Sequence, residues 1–257
     1  MIPKVIHFCW FGKTPIPHSH ANNIRQWKIK LPGYTFQLWN ERNFDVNLCT
    51  YSRAAYKAKK YAYVADVARC YILKNYGGIY LDTDVELVGS FESYSEFSLF
   101  SAIEVYKQFY EIGISCIDEH FKPLPSETFV PFFGFLSSVL GSEKENALIS
   151  DCLAYYLGLN IDEKLFKGFA IDGLLAHQAV KYGFEFRDTT QLLENNMLIL
   201  QTGIFGYADS ITPGFEVLYH HNAGSWADLS DHKKMLRRLD SYGLLGLYTK
   251  VKKLLKR

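Results

Sequence analysis

The chain has 257 residues, 48% of them hydrophobic and 16% aromatic, so it can bury a sizeable core. Its formal net charge of +1 gives no overall attraction for nucleic acid. The five cysteines are scattered, and none shows C-x-x-C spacing. This pattern favours reduced thiols over a disulfide framework or a zinc site. We find neither a signal-peptide pattern nor an apolar run of about 18 residues, so we expect a cytosolic protein that does not cross a membrane.

The first third of the chain alternates strands and helices. Apolar periodicity and Gly or Pro punctuation predict strands at 4–12, 34–40 and 78–82, and helices at 19–30, 51–60 and 62–76. Ser19 is a candidate N-cap, and Gly77 ends the third helix. This order predicts an α/β domain with a largely parallel sheet.

The rest of the chain has a looser pattern. We predict strands at 96–104, 132–140 and 215–221, and helices at 143–157 and 170–182. No repeat or low-complexity linker interrupts residues 1–227, which we therefore interpret as one domain.

Residues 228–257 form a tail of different composition. Nine Lys or Arg residues stand against three Asp residues there, and seven apolar residues from Leu244 to Leu255 recur at helical spacing. Such a basic amphipathic helix suits an anionic membrane surface. A terminal helix docked by its apolar side explains the same pattern.

Two carboxylates follow the third predicted strand. Asp82 and Asp84 have strand spacing i, i+2, so they are expected on one face, with Thr83 on the opposite face. A divalent cation, Mg²⁺ or Mn²⁺, would relieve the repulsion between them, and ligands of open α/β sheets bind beyond the carboxyl ends of strands. Two solvated aspartates in a turn are the alternative interpretation.

The preceding helix is apolar nearly all round. Asp66 and Arg69 are the only charged residues between Ala62 and Leu73, and a buried helix must give its charges partners. At i, i+3 the two side chains can pair with each other. Alternatively, they face the same cleft as Asp82, where they would bind a hydroxyl-rich or anionic ligand.

The segment YAYVADVARCYILKNYGGIYLDTDVELV resembles the core signature of glycosyltransferase family 32. That family includes bacterial capsule and lipopolysaccharide transferases, and the catalytic domains of large glucosylating toxins are similar. The segments IPKVIHFCWFGKTPIP, FQLWNERNFD and HHNAGSW resemble the same family, whereas residues 100–200 match poorly. The resemblance implies a GT-A fold, with a Rossmann-like, mostly parallel sheet flanked by helices and, here, a C-terminal helical tail.

The resemblance also implies roles for individual residues. Trp10 would stack on the nucleotide base, Asp66 and Arg69 would contact the donor sugar, and Asp82 would contact ribose or sugar near the metal. Asp84 would ligate Mn²⁺ or Mg²⁺. The segment at 220–226 would close over the diphosphate: His221, favoured over His220, would complete the metal shell, and Ser225 and Trp226 would donate to phosphate oxygens. Asp172 is a candidate acceptor residue or the N-cap of the following helix.

The function that follows is a retaining, metal-dependent transfer of a sugar from a nucleoside-diphosphate sugar, with UDP favoured, to a glycan or lipid-linked glycan. We expect a role in capsule, lipopolysaccharide or exopolysaccharide synthesis at the inner face of a membrane. No residue is singled out as a nucleophile or base. A toxin-like effector that modifies a protein and a non-catalytic carbohydrate-binding module are the alternatives. A nucleotidyltransferase lacks support because the chain has no Gly-x-x-x-x-Gly-Lys-Ser/Thr phosphate loop.

Overall fold

A computed structural model describes residues 1–126, 129–161, 167–207 and 218–220. The helices and strands of the first half follow the predicted order. They are β1 (Val5–Cys9), α1 (His18–Lys30), β2 (Thr35–Trp39), α2 (Thr50–Lys57), α3 (Tyr61–Tyr76), β3 (Gly78–Leu81) and β4 (Val85–Leu87).

The second half adds short strands and three helices among the described residues. They are β5 (Leu99–Val105), α4 (Tyr110–Ile114), β6 (Phe133–Phe135), β7 (Val139–Ser142), α5 (Ala147–Gly158), α6 (Ile171–Ala179), β8 (Gln191–Leu193), β9 (Met197–Leu200), β10 (Gly206–Tyr207) and β11 (Leu218–His220).

Within the described residues, the main sheet has the strand order β2-β1-β3-β7-β5-β9-β8, with β6 paired to β5. The pairs β2–β1, β1–β3 and β5–β9 are parallel, whereas β7 runs antiparallel to both β3 and β5. A small second sheet joins β10, β11 and β4. The α/β class predicted from the sequence is confirmed.

Alternating side chains divide the core between the two faces of the sheet. Cys9 and Tyr80 pack on the side of α3, α5 and α6, while Ile6, Phe8 and Ile79 pack on the side of α1. Helix α3 is buried along most of its length, as its composition predicted. No helix in the described part of the chain is long and apolar enough to span a membrane.

Two local predictions were wrong. Residues 132–140 form two strands, β6 and β7, because the backbone between them bonds to other elements: Ser137 to Arg69 and Asp172, and Ser138 to Asp82. Helix α1 begins at His18 after Pro17, whose fixed φ sets the helix entry, so Ser19 is not its N-cap.

Candidate active site

A cavity of about 1110 Å³ opens at the ends of β1, β3, β5 and β6. Helix α3 and the first turn of α6 complete its wall. Six of the residues singled out from the sequence line it: Trp10, Asp66, Arg69, Asp82, Asp84 and Asp172. Residues far apart in the chain therefore share one cavity.

Arg69 is the centre of the polar contacts in this cavity. Its Nη2 lies 3.1 Å from Asp66 Oδ1 and 3.3 Å from Asp82 Oδ1, and its Nη1 donates to the Ser137 carbonyl oxygen. The guanidinium also stacks over the Tyr80 ring at 4.4 Å. Both interpretations of the Asp66–Arg69 pair thus hold in the structure: the two side chains pair with each other, and they line the same cavity as Asp82.

The residues of the Asp-x-Asp segment lie in a turn that follows β3. Strand β3 ends at Leu81, and the Val85 N–H donates to the Asp82 carbonyl at 3.0 Å. Tyr80 Oη donates to Asp82 Oδ1 at 2.9 Å, which fixes the first carboxylate.

Thr83 was expected on the face opposite the two aspartates, but it lines the same cavity. The strand alternation behind that expectation stops at Leu81. Thr83 is buried, its hydroxyl lies 2.7 Å from His20 Nδ1, and its carbonyl accepts from Asn23. Helix α1 therefore holds the turn in place.

Trp10 follows directly after β1 and is only partly buried. Its Nε1–H donates to the Thr14 carbonyl at 2.8 Å, and its ring packs edge-on against His20 at 5.5 Å. These contacts orient the indole at the cavity wall, where its ring is available for stacking on a flat ligand.

Asp172 lies in the first turn of α6 and lines the same cavity as the Asp-x-Asp turn. Its Oδ1 accepts the Ser137 N–H at 3.1 Å, and the N-cap of α6 is Ala170, so the N-cap interpretation of Asp172 was wrong. Ser137 thereby connects Asp172 to Arg69 through its own N–H and carbonyl. A Cβ on Gly134 would lie 2.7 Å from the Asp172 backbone, so a glycine is needed where α6 approaches β6.

Among the described residues, the carboxyl groups that line the cavity outnumber the basic side chains that line it. Burial raises the pKa of Asp66 to about 8, against the opposing effect of Arg69. Burial alone would lower the pKa of Arg69, but Tyr80, Asp82 and Asp66 raise it well above its ordinary value. Burial also raises the pKa of Asp172, although hydrogen bonds from Ser137 oppose this. Burial thus favours the protonated form of Asp66, which can donate to a ligand oxygen, while Arg69 keeps its charge.

Residues 17–101 match a family described as the glycosyltransferase sugar-binding region containing the DXD motif. The match confirms the resemblance predicted from the sequence. It includes Asp66, Arg69, Asp82 and Asp84, whereas Trp10 and Asp172 lie outside the matched residues.

Two curated relatives are similar to this chain over part of their length. The chain is 26% identical over 191 residues to Subversion of eukaryotic traffic protein A from Legionella pneumophila, covering 64% of this chain and 24% of that protein. It is 37% identical over 92 residues to inositol phosphoceramide mannosyltransferase 3 from Schizosaccharomyces pombe, covering 33% of this chain and 24% of that protein. The chain thus spans about a quarter of the length of these curated relatives.

One solved structure with a partial overlap is titled PaToxG Glycosyltransferase. The overlap has a TM-score of 0.46 at 18% identity and covers 70% of each chain. An overlap of this quality supports no conclusion about function.

Three of the predicted site residues, His221, Ser225 and Trp226, lie outside the described residues, as does the tail at 228–257. The backbone just before them is described: β11 pairs antiparallel with β4, with His220 opposite Val85, the residue after Asp84. Among the described residues, no group of three or more His, Cys, Asp or Glu side chains converges on a metal site. Asp82 and Asp84 nevertheless fit Mg²⁺ or Mn²⁺, since these ions accept few carboxylates when phosphate and water supply the other oxygens.

Several residues of the cavity were missed by sequence reasoning. Tyr80 could have been found, because strand alternation puts it on the same face as Asp82. Glu104 could also have been found, as the one charged residue in the apolar run of β5. Ser137 and His20 carried no signal, because each acts through a contact made only in the folded chain.

Proposed function

We propose that this protein transfers a sugar from a nucleoside-diphosphate sugar to a glycan acceptor with the help of a divalent cation. One observation carries the proposal: the buried Asp66 and Arg69 and the half-buried Asp82 contact one another in the same cavity that Asp84 and Trp10 line. The cavity contains an indole ring for stacking, an arginine that can donate two parallel hydrogen bonds, and several carboxyl groups. These groups suit a ligand that contains a base, a sugar and a diphosphate.

Each residue binds a different part of the donor. Trp10 stacks on the base, preferably uracil. Asp66 and Arg69 bind sugar hydroxyls, the protonated Asp66 as a donor and Arg69 through its remaining N–H groups. The buried Arg69 Nε has no hydrogen-bond partner in the described structure, which supports this role. Asp82, held by Tyr80 and Arg69, contacts ribose or sugar.

Asp84 would hold Mn²⁺ or Mg²⁺, and His221 would complete the ligands of the ion. The bound cation would stabilise the charge that develops on the leaving diphosphate. Ser225 and Trp226 would donate to phosphate oxygens. We assign no nucleophile, since a retaining front-face transfer needs none: the leaving phosphate can take the proton of the acceptor hydroxyl.

The acceptor is a glycan or a lipid-linked glycan of a capsule, lipopolysaccharide or exopolysaccharide. A basic tail at 228–257 would hold the enzyme at the anionic inner face of a membrane. The similarity to a protein named an inositol phosphoceramide mannosyltransferase supports an acceptor that carries a lipid. The similarity to a protein named for the subversion of eukaryotic traffic favours the alternative, an effector that glycosylates a protein.

Nucleotide release from a donor panel tests the proposal. The purified chain is incubated with UDP- and GDP-sugars, with Mn²⁺ or with EDTA, and free nucleoside diphosphate is quantified. We expect release from one donor, its loss with EDTA, and its loss in Asp84→Ala. Asp45→Ala removes an exposed turn aspartate outside the cavity and should keep full activity.

Two results would count against the proposal. Equal release by the Asp84→Ala and Asp45→Ala variants would show that Asp84 is not the metal ligand. Metal-dependent donor binding without any release, with or without candidate acceptors, would favour a non-catalytic binding module.

A further inference from the structure

A second group of cavity residues has no role in donor binding. It lies where β5 ends and β6 begins and consists of Glu104, Tyr106, Phe109 and Phe132, all of which line the cavity. The Tyr106 N–H donates to the Phe132 carbonyl at 3.1 Å, which extends the β5–β6 pairing one residue past Val105 and Phe133. Glu104, Tyr106 and Phe132 therefore lie at one end of a strand pair, and Phe109 lies in the short 3₁₀ turn that follows β5.

Phe132 and Phe109 form an aromatic surface at the rim of the cavity. Their ring centroids lie 4.4 Å apart with the planes inclined by 32°, and the two residues are 41% and 39% exposed. Phe132 also has φ of 59°, a left-handed backbone conformation that a bulky side chain rarely adopts. An exposed ring on a strained residue does not stabilise the core. Residues with such backbone strain concentrate at ligand-binding sites.

Glu104 supplies a polar group deeper in the same wall. Its side chain is buried, and Tyr106 Oη donates to its Oε1 at 3.3 Å. In the described part of the chain, no cationic side chain pairs with this carboxyl. Burial and then the charge of Asp172 raise its pKa well above the usual range, which favours the protonated carboxyl, a group that can both donate and accept.

We propose that Glu104, Tyr106, Phe109 and Phe132 form the subsite that holds a saccharide ring of the acceptor. A pyranose has an apolar C–H face, which packs on the rings of Phe109 and Phe132, and hydroxyl groups, which exchange hydrogen bonds with Glu104 and Tyr106. Glu104 lines the same cavity as Asp82 and Asp172, so the bound ring lies next to the donor site. This inference rests on the proposed function and specifies its acceptor as a saccharide.

The chain offers a matched pair of variants for the test. Phe132→Gly removes the ring where glycine tolerates the positive φ, so the variant should fold. Phe121→Gly is the control, because Phe121 has φ of 57°, is 40% exposed and does not line the cavity. Urea midpoints no lower than that of the wild type would show that both variants are folded. If Phe132→Gly is not folded, Phe109→Ser takes its place.

The fluorescently labelled full chain is applied to an oligosaccharide array in the presence of UDP and Mn²⁺. We expect the wild type to bind a defined group of saccharides, Phe132→Gly to lose at least tenfold in apparent affinity, and Phe121→Gly to bind as the wild type does. Glu104→Gln, which keeps a donor and an acceptor, should bind better than Glu104→Leu. Binding of no saccharide by the wild type, or equal binding by the two glycine variants, would overturn the subsite.

Calorimetric titration with UDP and Mn²⁺ separates this inference from the proposed function. If UDP binds and Phe132→Gly binds saccharides normally, the acceptor subsite fails while the donor site stands. If UDP does not bind but Phe132→Gly still loses saccharide binding, the donor proposal fails while the saccharide subsite stands. If the chain binds immobilised lipid chains as tightly as saccharides, and Phe132→Gly weakens that binding, the rim is a site for lipid and the saccharide subsite fails.

Discussion

Replacing Arg69 with methionine should destabilise the fold strongly. Methionine keeps an unbranched apolar side chain of similar length, but it removes a guanidinium whose side chain is only 4% exposed. Asp66 and Asp82 would each lose a cationic partner, at 3.1 and 3.3 Å, and the Ser137 carbonyl would lose a hydrogen-bond donor.

The size of the effect follows from these contacts. Removing one partner of a buried ion pair typically costs about 3–5 kcal/mol, because a buried charge is left uncompensated. Protonation of Asp66 limits its share, and Asp82, with a side chain 29% exposed, can rehydrate in part. Loss of the stacking contact with Tyr80 adds to the destabilisation, by about 2 kcal/mol for a desolvated cation–π pair. We therefore expect a loss of about 3–5 kcal/mol in unfolding free energy.

Urea unfolding at pH 7, followed by far-UV circular dichroism, measures this loss. Arg25→Met is the control, since Arg25 is an exposed residue of α1 and should change the unfolding free energy by no more than about 0.5 kcal/mol. In an Asp66→Asn background Arg69→Met should cost less, because one buried carboxylate fewer loses its partner. A loss below about 1 kcal/mol for Arg69→Met would refute the reasoning that Arg69 neutralises buried carboxylates.

Three further predictions concern stability. The pKa of Asp66 is raised from 3.8 to about 8 on folding, so wild-type stability should fall by up to about 1.4 kcal/mol per pH unit between pH 4 and 8 through this group; Asp66→Asn should remove that slope in urea titrations. Burial lowers the pKa of His7 from 6.5 to about 4, so stability should be lost through this group as pH falls from 6.5 to 4. The His7→Gln variant should lack that loss. A variant with the pH profile of the wild type would show that the imidazole is not held neutral between Trp39 and the Gly77 carbonyl. Gly141→Ala would place a Cβ 2.0 Å from the Phe100 ring and should cost about 1–3 kcal/mol, with partial recovery in Gly141→Ala/Phe100→Leu; a variant as stable as the wild type would mean that this ring moves freely.

The first half of the fold could be predicted because its signals are local. The apolar pattern of α3, its end at Gly77 and the two aspartates after β3 all lie within one continuous segment. Local residue types also identified Asp66 and Arg69, because charges in an apolar helix need buried partners.

The second half could not be predicted to the same extent, because its geometry depends on contacts between distant residues. Residues 132–140 are apolar enough for one strand, but Ser137 bonds to Arg69, 68 residues away, and to Asp172, 35 residues away. Those bonds break the strand and bring α6 against the cavity. Phe132 has the ordinary sequence context of a core residue, and only the folded chain shows that it is exposed, has a positive φ and lines the cavity.

The donor site is tested most directly by a crystal structure of the chain with UDP and Mn²⁺, using the anomalous scattering of manganese. We expect one anomalous peak within coordination distance of the Asp84 carboxylate, with the diphosphate on the ion and uracil on the Trp10 ring. A manganese peak away from Asp84, or UDP bound outside the cavity of Asp66, Arg69 and Asp82, would contradict the proposed donor site.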